Sequence, residues 1–241
     1  MRRPPLLAAA SAALAALAAV LPAAPAASAT ATAAAPVAAA APAASAAATA
    51  VRGGDRLYGA GGVSCTVGFN ARGGGSYYAL VAGHCALAAT AWYADPALTV
   101  PAGATEAYSF PGDDYGIIRY TNPSLSHPGE VHLGGGVVRD VTGAAAPRIG
   151  QSVCHAGRTT GTRCGTVTGL NATIDHGGGQ AVHGLVRSNA CAEPGDRGGP
   201  AFSGTLAVGL VLGGSGSCSS GGAAYYQPVT EALAAYGLSL Y

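Results

Sequence analysis

Cys191-Ala192-Glu193-Pro194-Gly195-Asp196-Arg197-Gly198-Gly199-Pro200 is the stretch on which the reading of this 241-residue chain turns. Glycine and proline crowd Asp196 and Arg197, which marks a tight turn rather than a helix or strand interior. A serine displayed on such a turn could be deprotonated by a neighbouring imidazole and attack a carbonyl. Arginine cannot: its guanidinium offers no usable lone pair and stays protonated at any working pH.

Outward from this turn the chain runs in short apolar stretches broken by Gly, Asn, Asp and Ser. Downstream lies Leu206-Ala207-Val208-Gly209-Leu210-Val211-Leu212; upstream lie Cys65-Thr66-Val67-Gly68-Phe69, Tyr77-Tyr78-Ala79-Leu80-Val81-Ala82 and Tyr115-Gly116-Ile117-Ile118-Arg119-Tyr120. Their length, and their β-branched and aromatic content, predict an all-β sandwich or barrel. Residues 228–236 differ. Val229, Leu233 and Tyr236 recur at helical spacing between Pro228 and Gly237, which predicts a short C-terminal amphipathic helix.

The N-terminus reads as a targeting segment. Arg2 and Arg3 precede an apolar stretch over 6–20 and a small-residue cleavage site at Ala27-Ser28-Ala29, so residues 1–29 are expected to be a signal peptide. Ala, Ser and Pro break the apolar stretch too often for a retained membrane span. Residues 30–50, almost entirely Ala, Thr and Pro, form a low-complexity spacer with too little bulky apolar surface to offset its ordering entropy. The globular part is expected over 51–241, as two similar halves of about 51–128 and 129–241. A net charge of +1 argues against nucleic acid or an anionic membrane as partner.

Six cysteines, Cys65, Cys85, Cys154, Cys164, Cys191 and Cys218, in an exported chain point to disulfides, with fifteen pairings open. No paired C-x-x-C knuckle accompanies His84-Cys85 or Cys154-His155, so no metal site is expected. No cofactor is implied either.

Three stretches carry a resemblance to the chymotrypsin superfamily of serine proteases. Ala82-Gly83-His84-Cys85 is similar to its histidine loop, and Asp113-Asp114-Tyr115-Gly116-Ile117 to its acid loop. Gly195-Asp196-Arg197-Gly198-Gly199-Pro200 resembles its nucleophile loop, with Arg197 at the serine position. The order His, Asp, nucleophile is that of this lineage. The closer resemblance is to the streptogrisin and α-lytic protease group. It rests also on Phe110-Pro111-Gly112, on the run from Gly213 through Cys218 to Gly222, and on the tail Gln227-Pro228-Val229-Thr230-Glu231-Ala232-Leu233.

That resemblance implies two six-stranded antiparallel β-barrels with a catalytic cleft between them, and the pairs Cys65–Cys85, Cys154–Cys164 and Cys191–Cys218. It assigns His84 to the general-base position, Asp114 to the position that orients it, and the N–H groups of Gly195 and Arg197 to the oxyanion hole. Val211, Leu212, Gly213 and Gly214 are expected to line an apolar pocket for a large P1 side chain.

Departures accompany Arg197. Leu212 stands where the group has a serine that hydrogen-bonds the catalytic aspartate, which predicts an under-satisfied Asp114. His155 stands where an arginine pairs with the aspartate before the nucleophile, which predicts a pH-conditional pairing with Asp196. The Arg197 cation is expected in the cleft beside His84 and Asp114, and the spacer is far shorter than the group's folded pro-segment. Of the remaining histidines, His127, His132, His176 and His183 are expected in exposed loops. The reading is a secreted, monomeric, inactive peptidase homologue that takes a peptide or protein in its inter-barrel cleft. The alternative is an active endopeptidase preferring large apolar P1 residues, if a single-base AGC-to-CGC exchange hides a serine at 197.

Overall fold

The computed structural model describes residues 49–241. The expected signal peptide, and the expected spacer up to residue 48, lie outside the described residues. The first half carries β1 (Arg56–Tyr58), β2 (Ser64–Thr66), β3 (Phe69–Gly73), β4 (Ser76–Val81), β5 (Ala91–Tyr93), β6 (Pro101–Ser109) and β7 (Tyr115–Tyr120), with a one-turn helix α1 (Gly83–Ala86) after β4. A hairpin of β8 (Glu130–Gly134) and β9 (Val137–Asp140) follows. The second half carries β10 (Gly143–Ala144), β11 (Ser152–Gly157), β12 (Gly161–Asp175), β13 (Ala181–Ser188), β14 (Pro200–Ser203), β15 (Leu206–Ser217) and β16 (Gly221–Pro228), then helix α2 (Val229–Tyr236).

The all-β, two-barrel architecture with a C-terminal helix is therefore observed, and the strand count explains itself. The first sheet runs β2-β1-β5-β6-β7-β4-β3, seven strands with β2 and β3 at opposite edges. Only Val67 and Gly68 separate those two, so one bent segment serves both edges and six strands' worth of chain curls round. In the second sheet β16 pairs with both β13 and β15, which closes β15-β14-β11-β12-β13-β16 into a six-membered ring. β10 is appended to β15 in parallel register.

Side-chain alternation builds the core. Along β4, Ala79 and Val81 face the first barrel's interior with Trp92 and Ile118, while Tyr78 and Leu80 face the opposite way. The second set joins Phe202, Leu210 and Val229 of the other half in a shared apolar seam, which fixes one barrel against the other. Val153, Val167, Val208, Val211 and Tyr226 fill the second barrel. Helix α2 buries Val229 and Ala232 on this seam and ends at Gly237, whose φ of 63° is the left-handed cap that glycine supplies.

The disulfides are Cys65–Cys85, Cys154–Cys164 and Cys191–Cys218, and no cysteine is free. Cys65–Cys85 ties α1 to β2 beneath His84, and Cys191–Cys218 ties the Arg197 loop to the far end of β15.

Candidate active site

β4 and β7 are hydrogen-bonded neighbours, with Val81 opposite Gly116. The segment leaving β4 carries His84 and the segment entering β7 carries Asp114, so sheet pairing itself brings these residues together. Gly83 allows α1 to lie against the sheet: a Cβ there would sit 2.3 Å from the Ser109 carbonyl oxygen. Asp114 is 1% exposed. Its Oδ1 accepts the His84 backbone N–H at 2.8 Å, and His84 Nδ1 lies 3.0 Å from Oδ1 and 2.8 Å from Oδ2. Both carboxylate oxygens are thus partnered by His84 alone. The Asp114 N–H donates to Gln227 Oε1 at 2.8 Å, a contact made by the last strand of the other half.

The expected shortfall at Asp114 is not found. Leu212 is 1% exposed and packs with Val182 and Leu185, flanked by Phe110 and Ile174, so its side chain completes an apolar cluster.

Arg197 sits on the loop between β13 and β14. The turn around it is held by Asp196, whose buried carboxylate accepts from Thr159 N–H (2.7 Å), Thr160 N–H (3.1 Å), Thr160 Oγ (2.9 Å) and Glu193 N–H (2.9 Å). Gly195, at φ 100°, takes a conformation that other residues adopt only under strain. Among the described residues the N–H groups of Gly195 and Arg197 donate to no acceptor.

His155 is not the partner of Asp196. It is fully buried, its Nδ1 lies 2.9 Å from the Tyr226 hydroxyl, and that hydroxyl lies 2.9 Å from Ser188 Oγ. Burial drives its pKa down to about 4, with Asp196 opposing and Arg163 reinforcing the shift. The imidazole is therefore neutral at ordinary pH and serves as a packed core group. Asp196 needs no cation because four donors already satisfy it.

The Arg197 side chain does lie in the cleft, but it pairs with neither His84 nor Asp114. Its Nε donates to the Leu212 carbonyl at 2.6 Å. One amino group approaches the His176 ring at 3.3–3.4 Å. The Leu212 carbonyl is available because the β15–β16 register slips between Val211 and Gly213, a bulge that turns it out of the ladder. Burial, then the Arg197 cation, hold His176 below the usual imidazole pKa.

Two cavities meet at this turn. One, of about 200 Å³, is lined by Arg56, Ser64, Thr66 and His84 on the first half and by Gly195 and Arg197 on the second. The other, of about 510 Å³, is lined by Ala192, Glu193, Pro194, Gly195, Arg197, Gly213, Gly214 and Gly216. Of the expected pocket residues, Gly213 and Gly214 line it, while the side chains of Val211 and Leu212 are buried elsewhere in the core. The lining is also not purely apolar, since Glu193 contributes; its carboxylate accepts the Cys218 N–H at 2.8 Å.

Sequence reasoning missed Gln227, Arg56 and His176. Nothing in the local sequence marks them: Gln227 and Arg56 reach the site from other strands, and His176 from the loop between β12 and β13. His176 is exposed and in a loop as expected, whereas the other three histidines depart in part from the exposed-loop expectation. His127 stacks on Tyr120, while His132 and His183 lie on β8 and β13.

No family model matches the chain. Serine protease 2 of Streptomyces fradiae is 50% identical over 173 residues, covering 71% of this chain and 99% of that protein. Streptogrisin-D of Streptomyces griseus is 46% identical over 190 residues, 79% of this chain, which spans 48% of that protein's length. The solved structure of alpha-lytic protease homolog N4 superposes with a TM-score of 0.73 at 56% identity, covering 80% of this chain and all of that one.

Proposed function

The chain belongs to the streptogrisin and α-lytic protease family of chymotrypsin-fold serine proteases, and on that premise we propose that it is a secreted, monomeric, catalytically silent member whose inter-barrel cleft binds a peptide or protein segment without cutting it. In this reading His84 and Asp114 hold the positions of general base and orienting acid, and the N–H groups of Gly195 and Arg197 those of the oxyanion hole. Acyl transfer in such a site begins when the base takes a proton from a hydroxyl and the freed oxygen attacks the carbonyl. At Arg197 there is no hydroxyl to deprotonate and no electron pair to donate.

The observation that carries the proposal is the hydrogen bond from Arg197 Nε to the Leu212 carbonyl. The side chain at the reacting position is spent on an acceptor of β15, and among the described residues no hydroxyl is hydrogen-bonded to His84 Nε2. Export is inferred from the N-terminal segment and from relatives of the streptogrisin type; no helix among the described residues is long and apolar enough to cross a membrane.

Two assays on the purified protein test the reading: hydrolysis of peptides with an apolar P1 residue, and labelling by a fluorophosphonate, which reacts with an activated serine. Both are expected to be blank. Robust labelling would overturn the proposal in favour of an active endopeptidase, the reading that the intact His84–Asp114 contact favours.

A further inference from the structure

The smaller cavity carries an unusual charge pattern. Arg56 and Arg197 line it from opposite halves, with the Ser64 and Thr66 hydroxyls and His84, and no carboxylate lines it. Arg56 makes no ion pair among the described residues, and its Nε is buried without a hydrogen-bond partner. The Nε itself is sealed from the cavity, but Arg56 lines that cavity as an unpaired cation, and an anion is the partner that answers such a charge best. Gly195 and Arg197 line both cavities, and their N–H groups donate to nothing among the described residues. Cationic side chains and backbone N–H donors therefore converge where the two cavities meet, and a pocket large enough for a side chain adjoins them.

The nearby acids are already engaged. Asp114 is spent on His84, and Glu193 on the Cys218 N–H. A neutral peptide carbonyl would use the backbone donors but bring no countercharge to either guanidinium group.

Resting on the peptide-binding reading above, we infer that this junction binds the free C-terminal carboxylate of a peptide, with the terminal side chain in the larger cavity. The carboxylate takes the Gly195 and Arg197 N–H groups, and the two arginines neutralise it. The terminal residue's own N–H takes the Leu212 carbonyl. That displaces Arg197 Nε, and the released guanidinium turns to the carboxylate. One hydrogen bond is exchanged for another, and a charged pair is gained.

Calorimetry of the full chain with two N-acetylated tetrapeptides ending in phenylalanine, one a free acid and one an amide, tests this. The acid is expected to bind roughly ten- to a hundredfold more tightly, the range set by charge-assisted hydrogen bonds. The preference should shrink at high salt, and it should fall to about twofold or less in Arg56→Gln and Arg197→Gln. An amide carrying one further residue, aspartate, after the phenylalanine should bind no better than the plain amide. Equal binding of acid and amide would overturn the carboxylate site while leaving peptide binding intact. Failure of both to bind would remove the peptide-binding reading and this one with it. Tight binding of the aspartyl peptide would mean that the cavity takes an acidic side chain, which also overturns the inference. Should Arg56→Gln not fold, the acid-over-amide ratio of the unmodified protein at low and high salt decides.

Discussion

Two loops face each other across the cleft and have kept different things. The first half retains side-chain chemistry: His84 and Asp114 lie at hydrogen-bonding distance, and Asp114 is sealed from water. The second half retains only a backbone: the Arg197 turn has its positive-φ glycine and its free N–H groups, but no reacting oxygen. The turn depends on Asp196, whose four hydrogen bonds never involve the side chain at 197. A residue displayed on such a turn can change without the turn changing. His84 and Asp114 have no such freedom, because each is the other's partner and Asp114 is buried.

The comparison breaks most sharply at Arg197. Loss of the nucleophile from a triad of this kind costs about 10⁶ in turnover. Arg197→Ser is therefore expected to recover a large part of both hydrolysis and fluorophosphonate labelling, since the hydroxyl arrives beside an assembled pair and two free N–H donors. A correctly folded Arg197→Ser that stays inert in both assays would mean the backbone on the second side has drifted as well.

Stability should respond in the opposite order. Asp196→Ala strands four donors, three of them backbone or side-chain groups of Thr159 and Thr160, and is expected to cost on the order of 4 kcal/mol in urea unfolding. A loss under about 1 kcal/mol would show that the turn is held by something other than this carboxylate.

His155 gives a pH test of the same region. The unfolded chain takes up its proton near 6.5 and the folded one only near 4. The unfolded state therefore holds more protons between those values, and stability falls as pH drops through that window. The contribution is on the order of 3 kcal/mol. His155→Gln should flatten the difference in unfolding free energy between pH 7 and pH 4.5 relative to the parent. An equally steep decline in the variant would assign the acid sensitivity elsewhere.

The smallest effect is expected from Arg197→Ala, which removes an exposed side chain with one good hydrogen bond and should change stability by less than about 1 kcal/mol. A larger loss in thermal melting would make Arg197 a structural member of the second barrel.

Much of this molecule was legible in its residues. Short apolar runs between turn signals foretold strands, because side chains that alternate between two buried faces must be apolar on both. The Pro228 and Gly237 punctuation foretold α2. The resemblance of three loops to a protease family carried His84, Asp114 and Arg197 to one cleft. What sequence could not decide was what each side chain faces. Leu212 at a serine position predicts an under-satisfied Asp114, yet its side chain packs with Val182 and Leu185 while its carbonyl turns to Arg197. His155 was read as an ion-pair partner, yet it is held by Tyr226. Gln227, Arg56 and His176 reach the site from distant segments with no local signal. Local spacing determines which residues can form a strand or turn, because backbone sterics and side-chain period act over a few residues. Orientation and partnership across the cleft depend on bulges, on strand register and on which of two buried faces a side chain meets, and these are set only when both barrels close.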